Sequence, residues 1–439
     1  MLGKIINWYK PAPPIPRIPA DQIDKVYRRN RWRVFESAFL AYAMFYMVRN
    51  NLSPVAKEMG DALMYDKSML GLIMAGTAIS YGTGKFVMGF LADQCDARKY
   101  VATGLLATSM VNFIFGSTET YWLHFLLWSL NGFIQGMGYG PCCRGLSHWY
   151  SFRERGSIFG LWNMSHNLGG GMAGLLAAKS AQMWGWPSAF YVPGALCSLG
   201  AIYLFFRMRD TPQSVGLPSV EEYKNDWPPG EEEEHETELG LREMMFKYIL
   251  PNKMLWILAL ANIFVYVSRY AMLDWGPTYL KEMKGATIMA GGMSTLVIEF
   301  SGALGMLTMG WLSDKLGGYR ARVSVVALLP LPFVFYALKL VPADMYWLEM
   351  MLFAVIGFLV YVPVMFSGVM SLDLTSKKAV GTAAGFVGFF GYVGRVLQGF
   401  GLGFTAQHYG WNAALLVSVV CAVMAILLLS LLWNVKAKG

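Results

Sequence analysis

Apolar runs recur from one end of the chain to the other, each about the twenty residues that an α-helix needs to cross a ~30 Å hydrocarbon layer. Backbone polar groups inside lipid are satisfied only within helices or closed barrels, and runs of this length read as helices. Charged residues make up 15% of the sequence, against roughly 25% in soluble domains. The expected fold class is an all-α membrane protein of twelve transmembrane helices in two pseudo-symmetric six-helix halves. The spans fall at 34–53, 68–92, 100–118, 121–145, 157–182, 187–207, 254–279, 288–312, 321–341, 346–370, 380–405 and 411–434. They divide the chain into an N-terminal segment (1–33), a first half (34–207), a polar linker (208–253), a second half (254–434) and a short tail (435–439).

The net charge of +8 does not point to nucleic acid, because the basic residues sit at span ends on alternate loops. Lys25, Arg28, Arg29, Arg31 and Arg33 precede the first span, and Arg98/Lys99, Arg153/Arg155, Arg207/Arg209, Arg320/Arg322, Lys377/Lys378 and Lys436/Lys438 share their side. Both termini are therefore expected in the cytoplasm. Lys57, Lys67, Lys281 and Lys284 break the rule, each among acids. Trp122, Trp186, Trp275, Trp347 and Trp411 lie at span ends and suit the interfacial aromatic belt. The five cysteines form no CxxC pair, which leaves neither a disulfide framework nor a zinc site to expect. No cofactor is expected. The acidic stretch between Arg209 and Pro251 reads as a solvated linker without chemistry.

The halves repeat. Gly89, Asp93 and the basic pair Arg98/Lys99 after the second span are matched by Gly310, Asp314 and Arg320/Arg322 after the eighth. A charge-assisted bond between Asp93 and Arg98, or Asp314 and Arg320, could latch one conformational state and release in another. Glycine-rich stretches at Asn167–Gly174 and Gly381–Gly394 also correspond. Such duplicated halves commonly hold a site at their interface near the membrane midplane.

Two arginines, Arg49 and Arg269, occupy corresponding places 220 positions apart, each expected on an apolar helix. A charge within the bilayer costs a few kcal/mol on insertion scales and is a functional-site hypothesis by default. Taken alone, Arg49 could snorkel to the far headgroups, but the match with Arg269 argues for a facing pair. Two guanidinium forks suit a tetrahedral oxyanion better than lysines would. Lys85 either completes such a site or pairs with an acid. His166, with Asn163 on the same helix face, is either a packing residue or a donor to the anion. Asp274 and Glu299 either balance Arg269 or form a structural ion pair. Tyr42, Tyr46, Tyr81, Tyr266, Tyr361 and Tyr392 fall within spans, where their hydroxyls suit a polar cavity wall. Arg395 is a further intramembrane charge without an obvious counterpart in the first half.

The chain resembles the organophosphate:phosphate antiporters of the major facilitator superfamily, and most of all their bacterial glycerol-3-phosphate branch. The specific stretches are RDTPQSVGLPSVEEYKND (Arg209–Asp226), ILPNK (Ile249–Lys253), VYVSRYAMLDWGPTYLKE around Arg269, and KKAVGTAAGF (Lys377–Phe386). The resemblance implies that Arg49 and Arg269 bind substrate phosphate. It likewise makes Lys85, His166, Tyr42, Tyr46, Tyr81, Tyr361 and Tyr392 line the cavity, and places Asp274 and Glu299 at the family's acids. It implies a monomeric, multi-pass protein of the bacterial inner membrane, not an enzyme, that takes up a phosphate ester against inorganic phosphate. Asn50 departs from the basic residue that glycerol-phosphate and hexose-phosphate members commonly carry there. VRNN (Val48–Asn51) and YVP (Tyr361–Pro363) look more like the phosphoglycerate branch, and Arg395 could meet an additional carboxylate. One branch of the family senses sugar phosphate instead of moving it.

Overall fold

The computed structural model describes residues 7–226, 244–343, 345–375 and 380–436, and these form helices with no strand among them. The first half comprises α1 (Ala20–Met47), the short α2 (Ala56–Leu63), α3 (Lys67–Asp93), α4 (Ala97–Gly116), α5 (Tyr121–Trp149), α6 (Phe152–Trp184) and α7 (Ser188–Arg207). After the small α8 (Val220–Lys224), the second half comprises α9 (Lys253–Lys284), α10 (Ile288–Lys315), α11 (Arg320–Leu328), α12 (Leu331–Leu340), α13 (Tyr346–Asp373) and α14 (Val380–Ser430). α11 and α12 form one leg kinked at Pro330, and α14 is two legs broken at Gly410, so twelve legs result. Six runs pass a test of length and hydropathy alone, most of them in the second half.

The duplication is visible in backbone geometry. Gly185 closes α6 at φ 82°, ψ 167°, and Gly410 breaks α14 at φ 79°, ψ 170°, each followed by a tryptophan. Only glycine adopts this conformation without strain. Elsewhere side chains start the helices: Asp66, Asp96 and Asn252 accept from first-turn amides, and Ser151 with Glu154 forms a reciprocal capping box.

Several expectations need correction. The first helix begins at Ala20, well before the expected span start at 34. The start of the linker is not solvated: Asp210 is buried and accepts from Ala12 N, Ala97 N and Arg144, which fixes it to the first half. Trp122 and Trp347 are exposed as a belt requires, but Trp275 and Trp411 are buried against each other, 6.2 Å between ring centroids.

The halves meet most closely at the end away from the linker. A Cβ on Gly71 would fall 2.4 Å from Gly399 O, and one on Gly292 would fall 2.5 Å from Gly174 O. Backbones approach this closely only over glycine. The lysines that broke the charge rule are paired here. Lys281 bonds Glu58 at 2.6 Å and Pro54 O at 2.5 Å, and Lys67 bonds Glu282 at 3.1 Å, all across the seam. Lys57–Asp61 and Lys284–Glu349 pair within their own halves. These contacts reach down to a Tyr81–Tyr392 ring contact (5.3 Å) and an Asn167–Glu299 hydrogen bond (2.9 Å). Nearer the linker, a Cβ on Gly89, Gly160, Gly385 or Gly388 would meet nothing within 4 Å. The seam is closed at the far end and opens toward the linker.

Gly410→Ala should destabilise by about 1–3 kcal/mol, because its backbone conformation admits only glycine. Gly89→Ala, with open space and helical backbone, should cost nothing. Unfolding temperatures of the two variants in detergent check this, and equal temperatures would contradict it.

Candidate functional site

Arg49 is not carried on a helix, contrary to expectation. α1 ends at Met47, and Arg49 lies in the turn that follows. Three buried asparagines build that break. The carbonyl of Val48 leaves the helical pattern and accepts from Asn112 (3.1 Å) and Asn131 (2.9 Å), while Asn51 donates to Asn112 (2.9 Å) and Ala189 O (2.9 Å). The carbonyl that the break frees at Val48 thus regains partners, as a buried chain interruption requires. The guanidinium of Arg49, 5% exposed, lies over the rings of Tyr46 (3.7 Å) and Tyr81 (4.7 Å).

Arg269 sits within α9 as expected, 6% exposed, over the rings of Tyr361 (4.3 Å) and Tyr270 (5.0 Å). Its Nη2 donates to the Tyr361 hydroxyl at 3.0 Å, and that hydroxyl donates to Glu299 Oε2 at 2.7 Å. Asn167, from the other half, donates to the same oxygen. Glu299 thus reaches Arg269 only through Tyr361, and its Oε1 has no partner. Asp274 has Arg395 as its nearest cation, at 3.8 Å, and feels Arg269 beyond it; Arg395 itself stacks over Tyr270 at 4.1 Å. Among the described residues no carboxylate comes within ion-pair distance of Arg49 or Arg269. Pro277 leaves the carbonyl of Leu273 without its helical donor, and Ser53 of the first half fills the gap, its Oγ 2.9 Å from Leu273 O and 2.7 Å from Asp274 O.

The rings form a continuous path between the arginines. From Tyr81, beside Arg49, it passes to Tyr392 (5.3 Å), Tyr266 (6.0 Å) and Tyr270 (5.8 Å), which lies under both Arg269 and Arg395. On the other flank Tyr46 meets His166 at 5.3 Å, and Tyr42 meets Tyr46 at 5.3 Å and Tyr139 at 5.9 Å. Lys85 lies over Tyr139 at 4.2 Å and makes no ion pair among the described residues. His166 Nδ1 donates to the backbone carbonyl of Asn163. Its Nε2 therefore accepts from a ligand when the ring is neutral and donates only as imidazolium.

Arg98 pairs with Asp96 at 3.3 Å, and Arg320 pairs with Asp373. The side chains of Asp93 and Asp314, the other halves of the expected latches, lie outside the described residues. The sequence reading missed Tyr270, Tyr139, Asn167 and Asp96. Tyr270 was signalled by its place beside Arg269, and Asn167 by its place beside His166. Asp96 was signalled by the helix it caps.

The sequence profile of the Major Facilitator Superfamily matches residues 38–399. The chain is 38% identical over 447 residues to the glycerol-3-phosphate transporter of Bacillus subtilis (strain 168), covering 99% of each chain. It is 38% identical over 428 residues to a probable hexose phosphate transport protein of Chlamydia muridarum (strain MoPn / Nigg), covering 95% of this chain and 94% of that one. Among solved structures, a bacterial homologue of the human lysosomal transporter Spinster, inward-facing and unoccupied, superposes with a TM-score of 0.71. That match covers 92% of this chain and 95% of the other at 16% identity, a likeness of fold alone.

Tyr361→Phe and Glu299→Leu each break the chain of bonds that links Arg269 to the other half. Each should cost about 1–3 kcal/mol of stability where a buried group loses its partner, read as a lower unfolding temperature in detergent. The double variant should fall short of the sum, because the two groups share one hydrogen bond. Strict additivity would contradict the linkage.

Proposed function

The chain belongs to the Major Facilitator Superfamily, in its organophosphate:phosphate antiporter group, and we propose that it exchanges an organophosphate for inorganic phosphate by alternating access. Glycerol-3-phosphate is the ester proposed, on the strength of the 99% coverage of a relative so named. The protein is a transporter, not an enzyme. We place it as a monomer in a bacterial inner membrane with the linker end, and so both termini, in the cytoplasm.

The observation that carries the reading is the buried pair Arg49 and Arg269, ringed by tyrosines and free of ion-paired carboxylates among the described residues. A phosphate dianion supplies the missing charge, and each guanidinium can give it two parallel hydrogen bonds. Lys85 adds a third cation, and His166 adds a nitrogen that can follow the protonation of phosphate. Asp274 and Glu299 stay beside this site without occupying it.

Exchange follows from differential binding. Phosphate that binds the occluded arrangement more tightly than either open one lowers the barrier to rocking the halves. The empty carrier lacks that compensation and must bury two cations, so it returns slowly. Opening the far end requires breaking Lys281–Glu58 and Lys67–Glu282, which are short and cross the seam.

A specific observation favours a second ester class. Arg395 and Arg269 share the ring of Tyr270, and Arg395 is held by Asp274 at a long 3.8 Å. A substrate with a carboxylate beside its phosphate, such as a phosphoglycerate, could draw Arg395 away from Asp274. A hexose-6-phosphate has no second anionic group for it to meet.

Efflux of labelled phosphate from proteoliposomes containing only this protein tests the proposal, with external phosphate as the self-exchange control. Glycerol-3-phosphate should drive efflux. If phosphoglycerate alone does so, the second ester class is correct, and Arg395→Gln should then abolish most of that efflux while sparing self-exchange. Absence of exchange with every ester and with phosphate itself would reject transport in favour of a sugar-phosphate sensor.

A further inference from the structure

The linker end of the first half carries clustered positive charge that is only partly ion-paired among the described residues. Arg29, Arg33 and Arg209 form no ion pair among the described residues, and they act on one another as neighbouring like charges together with Arg207. The carboxylate of Glu36 is already engaged, bonded by Arg207 at 2.7 Å and by the Tyr203 hydroxyl. Arg98 nearby is engaged by Asp96. Arg33 Nε is buried without a partner, and Arg209 spends Nη1 on the carbonyls of Phe206 (2.9 Å) and Met208 (3.0 Å). Burial and the surrounding guanidiniums push Arg209 below its ordinary pKa, so an anion here would relieve real repulsion.

The same edge is strongly apolar. Arg29, Trp32, Arg33 and Glu36 share one face of α1 by their spacing of three and four. That face meets the end of α7, where Arg207 reaches across to Glu36. Trp32 is 61% exposed and Phe206 is 70% exposed, and the exposed side chains of Ile202 and Leu199 continue the apolar ridge along α7 away from the charges. Guanidiniums at the membrane surface above an apolar ridge match the two parts of a phospholipid, and basic clusters at helix ends draw anionic lipids at about fivefold in affinity per residue. A free phosphate would use the charges and leave the ridge bare.

We propose that the outer seam of α1 and α7 at the linker end binds the phosphate group of an anionic phospholipid, with Arg29, Arg33 and Arg209 as donors and an acyl chain along Trp32, Phe206, Ile202 and Leu199. The site is separate from the Arg49–Arg269 pair and does not depend on what that pair transports. It joins α1, α7 and the start of the linker through one ligand.

Native mass spectrometry of the full chain in neutral detergent, titrated with phosphatidylglycerol or phosphatidylcholine, tests the assignment. The wild type should retain phosphatidylglycerol, and Arg33→Gln/Arg209→Gln should bind it on the order of thirtyfold more weakly, with phosphatidylcholine unchanged. Lys25→Gln/Arg28→Gln changes net charge equally on the same helix and should leave binding intact. Arg209→Gln alone, outside the helices, should weaken binding about fivefold and keeps the test decisive if the pair variant does not fold. Undiminished phosphatidylglycerol binding in the arginine variants would overturn the proposal. Equal loss in Lys25→Gln/Arg28→Gln, or displacement of the lipid by millimolar inorganic phosphate, would overturn it as well.

Discussion

Taking a guanidinium out of water costs several kcal/mol unless another charge or set of dipoles replaces its hydration. Arg49 and Arg269 are both buried at the seam, and neither has a carboxylate to pair with among the described residues. What surrounds them is a shell of tyrosines, whose π-faces attract cations most strongly where solvent is excluded. That compensation is partial by design, because full ion pairs would leave a phosphate nothing to gain. Glu299 shows the balance: its charge reaches Arg269 only through the Tyr361 hydroxyl, close enough to stabilise the cation and too far to replace a ligand.

The rest of the architecture keeps this pair in place and fits the proposed movement of the halves about it. The asparagine cluster that breaks α1 puts Arg49 in a turn between the rings of Tyr46 and Tyr81. Ser53 bonds the α9 carbonyls near Pro277, so the two interrupted elements meet at their corresponding positions. Glycine contacts such as Gly71 with Gly399 give the far end a close fit, and two cross-seam ion pairs hold it. Ion pairs and van der Waals contacts over glycine can be broken and remade without unfolding a helix, which suits a gate. Asn167 and Glu299 join the halves at the depth of the arginines, so a change at the site is felt directly by the seam.

Much of this was legible in the sequence, for reasons that can be named. Helices in lipid advertise themselves by apolar length, and the offset of 220 exposed the duplication. Intramembrane charge is rare enough that Arg49, Lys85, Arg269, Glu299 and Arg395 stood out singly, and the structure brings their surroundings together at one seam. What stayed hidden depended on three-dimensional pairing. The break after Met47 requires Asn112 and Asn131 to reach Val48 from α4 and α5, which no local pattern of α1 announces. For Asp274 the sequence left open whether it balances Arg269 or pairs elsewhere, and helix packing brings it nearest to Arg395. Nothing local in the sequence announces that two guanidiniums share the ring of Tyr270. The lysines that spoiled the charge pattern, Lys67 and Lys281, proved to pair with acids of the opposite half across the seam.

The central claim is that two guanidinium forks, not two positive charges, hold the phosphate. Equilibrium titration of inorganic phosphate into the purified protein, beside Arg49→Lys and Arg269→Lys, separates these, since lysine keeps the charge and loses the fork. The account predicts one phosphate bound by the wild type and binding weakened roughly 10- to 100-fold in each lysine variant, the worth of a lost charge-assisted hydrogen bond. Near-normal phosphate affinity in either variant would contradict it.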